Sequence, residues 1–155
     1  MVTPTTTADG QTIRVLLIDE NQMFLQAATG FLQRQAGLVV LRTAARLEAA
    51  LIGARDFQPS VIVLDPSTSG IGGLEIIPRL RTISPDVRVV VLALIDSTTY
   101  RDAVLAAGAD GFVSKSNMLT DLLPAIRLAG QRRTPDPIGS EPRTHASLRI
   151  VIGHL

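Results

Sequence analysis

The chain has no cysteine and no tryptophan, and a single tyrosine and a single lysine. Without cysteine there are no disulfides and no thiolate metal sites, which suits a reducing compartment. No charge of one sign dominates. Lys+Arg is 15 against 14 Asp+Glu, for a net charge of +1, and nothing in that balance calls for nucleic acid or an anionic membrane. Long hydrophobic runs are also missing, and the longest is too short to span a bilayer. The first ten residues are Thr-rich with no basic residue and no apolar run, which excludes a signal peptide. These absences point to a cytoplasmic protein with no membrane partner.

What is present is apolar and periodic. Hydrophobic residues make up 46% of 155, enough for one packed domain. Short β-branched runs at 13–18, 38–41, 61–64, 87–94 and 111–114 are nearly continuous rather than alternating, as strands covered on both faces read. Helical patterns lie between them. The first is capped by Asn21 and stopped by Gly37; the second covers 46–57 and ends before Pro59. The third covers 74–83, and Pro78 inside it predicts a bend or a late start. The fourth covers 98–107 and the fifth 119–129, with Thr120 as its expected cap and Pro124 in its first turn. Five such units predict an α/β fold: a doubly wound, flavodoxin-like, five-stranded parallel sheet of order 2-1-3-4-5 flanked by five helices. The expected organisation is a flexible leader over 1–11, a domain over 12–130, and a linker or tail over 131–155 rich in Pro, Arg and Ser. Its last piece, 147–155, is apolar with no evident partner.

Acidic residues end two of the runs: Asp19 and Glu20 the first, Asp65 the third. In this strand order the first and third strands are neighbours, so the carboxylates are expected to converge. Lys115 ends the fifth strand on the same rim. It is the one lysine beside fourteen arginines, which singles it out. Three carboxylates and an ammonium around a cleft suit a hard divalent cation, Mg2+ above all, and phosphoryl transfer to an aspartate. Taken singly, each residue reads as a turn or a surface charge; together at three strand ends they read as a site.

The segments "VLLIDEN", "VIVLDPSTSGIGGLEII", "VVVLALID" and "AGADGFVSKSN" resemble the successive signatures of bacterial response-regulator receivers. "GADGFVSK" followed by "TDLLPAIRLAG" is most similar to NarL/FixJ-type receivers. The resemblance implies that Asp65 accepts a phosphoryl group from a sensor histidine kinase or phosphotransfer protein. It implies that Asp19, Glu20, Asp65 and the Ser67 carbonyl bind Mg2+, and that Lys115 contacts the phosphoryl group. Phe112 falls at the aromatic switch position, and the face formed by the fourth helix, fifth strand and fifth helix is expected to signal or to form a homodimer. Such a protein is a signalling domain rather than an enzyme.

Three positions depart from that pattern. Ala93 stands where the family carries Thr or Ser, Leu94 where it carries a small residue, and Ser69 where it carries proline. A methyl cannot donate a hydrogen bond, so Phe112 is expected to sit inward and phosphate to switch the domain only weakly. The competing reading is therefore a pseudo-receiver, an interaction module indifferent to phosphate. A flavodoxin-like enzyme is disfavoured, because no Gly-rich phosphate loop follows the first strand. The residues after 130 are too few for a DNA-binding domain, so no direct nucleic-acid contact is expected unless the chain is a fragment of a longer regulator.

Overall fold

The five apolar runs form five parallel strands in the computed structural model, which describes residues 10–68, 70, 72–131 and 150–151. They are β1 (Ile13–Ile18), β2 (Leu38–Ala44), β3 (Val61–Leu64), β4 (Arg88–Ala93) and β5 (Gly111–Ser114). The helices are α1 (Gln22–Gln33), α2 (Leu47–Phe57), α3 (Ile76–Ile83), α4 (Thr98–Ala106) and α5 (Met118–Gly130). The order from one edge is β2-β1-β3-β4-β5, as the sequence predicts. The leader read over 1–11 and the tail over 131–155 lie mostly outside the described residues, as does Ser69.

Successive strand residues face opposite sides of the sheet, so each strand feeds two cores. Leu16, Ile18, Ile62, Leu64, Val89, Val91, Ala93 and Phe112 pack with residues of α2, α3 and α4. Val15, Leu17, Val61, Val63, Val90, Leu92 and Val113 pack with α1 and α5. Covering both faces removes the polar positions from the inner strands, which is why β3 and β5 are buried throughout. β2, at the edge, mixes buried and exposed residues.

Local chemistry sets the ends of the helices. The Asn21 side chain accepts the Phe24 N–H at 3.0 Å and starts α1. Ser97 does the same for α4, accepting the Tyr100 N–H at 3.2 Å. Gly108, at φ 102°, supplies the left-handed residue that follows α4. Pro78 is the third residue of α3, where its missing N–H has no helical acceptor; a 3-10 turn over Gly73–Glu75 precedes it, so the late start is observed.

Three expectations need correction. Helix α5 begins at Met118, so Thr120 is inside it rather than capping it, and the Thr120 hydroxyl instead donates to the Asn117 carbonyl at 3.1 Å. Pro124 is consequently mid-helix, on the exposed side, where solvent can satisfy the carbonyl it leaves unbonded. Ile150–Val151 forms a sixth strand, β6, parallel to β5, with Ile150 opposite Gly111 and Val151 opposite Phe112. The open edge of β5 offers unpaired backbone groups, and this short segment takes them.

Candidate functional site

The acidic candidates and Lys115 sit at the carboxyl ends of the strands, where βα turns leave the sheet. Asp19 directly follows β1, Asp65 follows β3, Ala93 ends β4 and Lys115 follows β5. The pairing of Ile18 with Leu64 brings the two aspartates to adjacent positions on one rim.

Lys115 joins them. Its ammonium donates to Asp19 Oδ2 at 2.5 Å and to Asp65 Oδ2 at 2.7 Å, and lies 4.5 Å from the centroid of the Phe24 ring. Each remaining carboxylate oxygen has its own donor. The Asn21 N–H reaches Asp19 Oδ1 at 2.9 Å. The Ser67 N–H and hydroxyl reach Asp65 Oδ1 at 2.8 and 2.7 Å. The Thr68 hydroxyl donates to the Asp65 carbonyl at 2.7 Å and pins the turn. Both carboxylates are buried, at 3% exposure for Asp19 and 5% for Asp65.

The electrostatics follow from this geometry. Burial pushes the Asp65 carboxyl up, but the hydrogen bonds from Lys115 and Ser67 outweigh it and hold it below the ordinary value. Asp65 is therefore an anion throughout the neutral range. Burial pushes Lys115 down, and the two aspartates more than reverse that, raising it above the usual lysine value.

The structure thus brings together Asp19, Asp65 and Lys115, with Ser67 held against Asp65 through its N–H and hydroxyl. Glu20, the residue after Asp19, is exposed; among the described residues, no three of His, Cys, Asp and Glu gather as a metal-holding group. Asp19 and Asp65 converge on a cation, and that cation is Lys115. The donors still suit magnesium in kind: hard carboxylate oxygens from two strand ends, both aimed at a positive charge. Sequence reading missed Asn21 as the clamp on Asp19, Thr68 as the pin of the turn and Phe24 beneath the ammonium. Asn, Ser and Thr immediately after a strand were the available signal for the first two.

At the switch positions, Phe112 is fully buried. Its ring lies 5.9 Å from that of Tyr100 in an edge-on contact, and the Arg101 guanidinium stands 5.5 Å from its centroid. Arg101 is itself tied to Asp96 at 2.5 Å. Leu94 is 78% exposed, so its side chain lies in solvent rather than in the cleft.

A doubly wound parallel sheet with an aspartate pair and a lysine joined at its carboxyl edge defines a small α/β domain of the doubly wound class. The family described as "Response regulator receiver domain" matches residues 15–127, and the chain belongs to it. It is 36% identical over 122 residues to "Response regulator GacA" from Pseudomonas protegens, covering 77% of this chain and 57% of that protein. The chain therefore spans little more than half the length of such relatives. Among solved structures it resembles a two-component response regulator of the LuxR family from Aurantimonas sp. SI85-9A1, with a TM-score of 0.72 and 26% identity, covering 82% of this chain and 91% of that one. It shares its fold with the response regulator domain of Thermotoga maritima CheB, at a TM-score of 0.67 and 22% identity, covering 80% of this chain and all of that one. Response regulator receivers are the signalling domains of two-component systems. Among the described residues, no helix is long and apolar enough to cross a membrane.

Proposed function

We propose that this chain is a phosphorylatable receiver, with Asp65 accepting a phosphoryl group from a sensor histidine kinase or phosphotransfer protein in the cytoplasm. The observation that carries the reading is the Lys115 ammonium bridging Asp19 and Asp65. A carboxylate kept ionised, oriented by Ser67 and backed by a cation is a ready nucleophile. Lys115 then neutralises charge on the transferred group while Asn21 keeps Asp19 in place. Asp19, Glu20, Asp65 and the Ser67 carbonyl are the residues that would hold Mg2+. Bound there, the ion supplies positive charge to phosphoryl oxygens. The output surface is the face of α4, β5 and α5, presented to a partner or to a second copy of the chain.

A second reading, the phosphate-indifferent pseudo-receiver, draws on Ala93 and on Phe112 already lying inward. Intact-mass measurement after incubation with acetyl phosphate and magnesium separates the two. One added phosphoryl mass on the wild type, absent in Asp65→Asn, is expected. An unmodified wild type would establish the pseudo-receiver, and a labelled Asn variant would move the acceptor elsewhere.

A further inference from the structure

The β4 side of the Asp65 cleft has no side-chain donor of its own. Ala93 ends that strand with a methyl group, and Leu94 points into solvent. Ser114 is paired with Ala93 across the sheet and shares its face, but its buried hydroxyl is engaged with that of Ser116 at 2.8 Å. Ser67 and Lys115 serve Asp65 from other elements. A phosphoryl group carries three peripheral oxygens, so a side-chain donor from the β4–α4 side would add to its surroundings.

Tyr100 is the side chain available. It sits in the first turn of α4, its backbone held by the Ser97 cap. Its ring packs on the cluster that contains Ala93, and lies edge-on to Phe112. Phe112, the support under Tyr100, is fully buried with the Arg101 guanidinium against its ring. Among the described residues none hydrogen-bonds the Tyr100 hydroxyl. Burial first, and then the negative charge of Asp65, push that hydroxyl's pKa up. It is therefore a protonated donor at neutral pH, and it lies within reach of the Asp65 field.

We propose that the Tyr100 hydroxyl hydrogen-bonds a phosphoryl oxygen on Asp65, supplying from α4 the side-chain donor that β4 lacks. This rests on the reading of Asp65 as acceptor. In the transfer, an Asp65 carboxylate oxygen forms the new bond to phosphorus while the bond from phosphorus to the donor's leaving atom breaks. The leaving atom keeps the electron pair; with acetyl phosphate it departs as acetate. Tyr100 contributes a hydrogen bond and keeps its proton.

The test follows labelling of the whole chain over time by intact mass, with acetyl phosphate and magnesium. Tyr100→Phe keeps the ring and removes only the hydroxyl, and should slow labelling about tenfold or more, the worth of one charge-assisted bond. Adding Ala93→Thr to Tyr100→Phe should restore most of the rate by returning a hydroxyl from β4. Tyr100 is the only tyrosine in a chain without tryptophan, so its ultraviolet emission should also change when beryllofluoride binds the wild type. Equal labelling of wild type and Tyr100→Phe would overturn the proposal while leaving Asp65 as acceptor. Slow labelling that Ala93→Thr fails to rescue would overturn it too, by making the hydroxyl's role structural. No labelling of the wild type would remove the acceptor reading, and this proposal with it.

Discussion

Lys115→Met separates the charge at the centre of the site from the packing of its stem. The Lys115 side chain is 11% exposed, and it stands between Asp19 and Asp65 side chains at 4% and 6%. Removing one partner of a buried ionic group costs about 3–5 kcal/mol, because the remaining charges stay desolvated. Each aspartate keeps its other hydrogen bonds, from Asn21 or from Ser67, which places the loss near the lower end, about 3 kcal/mol. For a domain of this size that is roughly 6–12 °C in Tm. The pH dependence has a definite sign. Asp65 has a lowered pKa in the folded state, so its contribution is present above the unfolded value and is lost as pH falls through the folded one. Lys115 has a raised pKa, so its contribution is complete below the unfolded value and is lost as pH rises through the folded one. The cluster therefore stabilises the wild type across the whole neutral range. In the Met variant two carboxylates face each other without a cation, and Asp65 loses the hydrogen bond and charge from Lys115 that hold its pKa down, so it takes up a proton more readily. The deficit should be largest at neutral pH and shrink towards about pH 4.5, near the intrinsic carboxylate values. Urea unfolding followed by circular dichroism, with a chelator present, measures both. A variant as stable as wild type at neutral pH, or one equally weakened at both values, would refute the electrostatic account.

Magnesium at millimolar concentration should raise the Tm of the wild type, by up to about 2.7 kcal/mol of stabilisation at a hundredfold excess over Kd, and should do nothing for Asp19→Asn combined with Asp65→Asn. An equal gain in that double variant would place the ion elsewhere. Asp110 accepts the Val89 N–H and an Arg81 guanidinium N–H, both at 2.8 Å, at the opposite end of the sheet. Asp110→Ala should cost about 2–3 kcal/mol in urea unfolding and speed exchange of the Val89 amide, since a buried donor loses its acceptor. A Cβ added at Gly130 would lie 2.8 Å from Ile13 Cδ1, so Gly130→Ala should lose about 1 kcal/mol despite alanine's better helix propensity. Ile13→Val should recover part of that loss, and an outright gain on Gly130→Ala would show that Ile13 moves aside freely.

The strands, the helices and the site's address were legible because each rests on local chemistry. Continuous β-branched runs mark strands buried on both faces, and Asn21 and Gly108 bound helices by backbone geometry alone. Acidic residues and a lone lysine at strand ends named the rim, since a parallel doubly wound order leaves them one place to meet. The start of α5 was misjudged because Thr120 is a good cap by type, yet the apolar face completed by Leu122, Ala125 and Ile126 draws the helix back to Met118. β6 could not be foreseen, because a two-residue strand has no period of its own and exists only where β5 offers an edge.

The sequence by itself determined the parallel sheet, its order and the identity of Asp19, Asp65 and Lys115, through patterns that local propensity and connection rules can read. Only the tertiary structure decided what those residues do to one another. A count of three carboxylates suggests a metal cluster, but which charges share a solvent-poor space depends on side-chain direction and reach. Lys115 lies 50 residues from Asp65 and 96 from Asp19, and its ammonium closes the pair. The inward seat of Phe112 beneath Tyr100 belongs to the same class of fact, set by packing between α4 and β5 that no run of residues spells out.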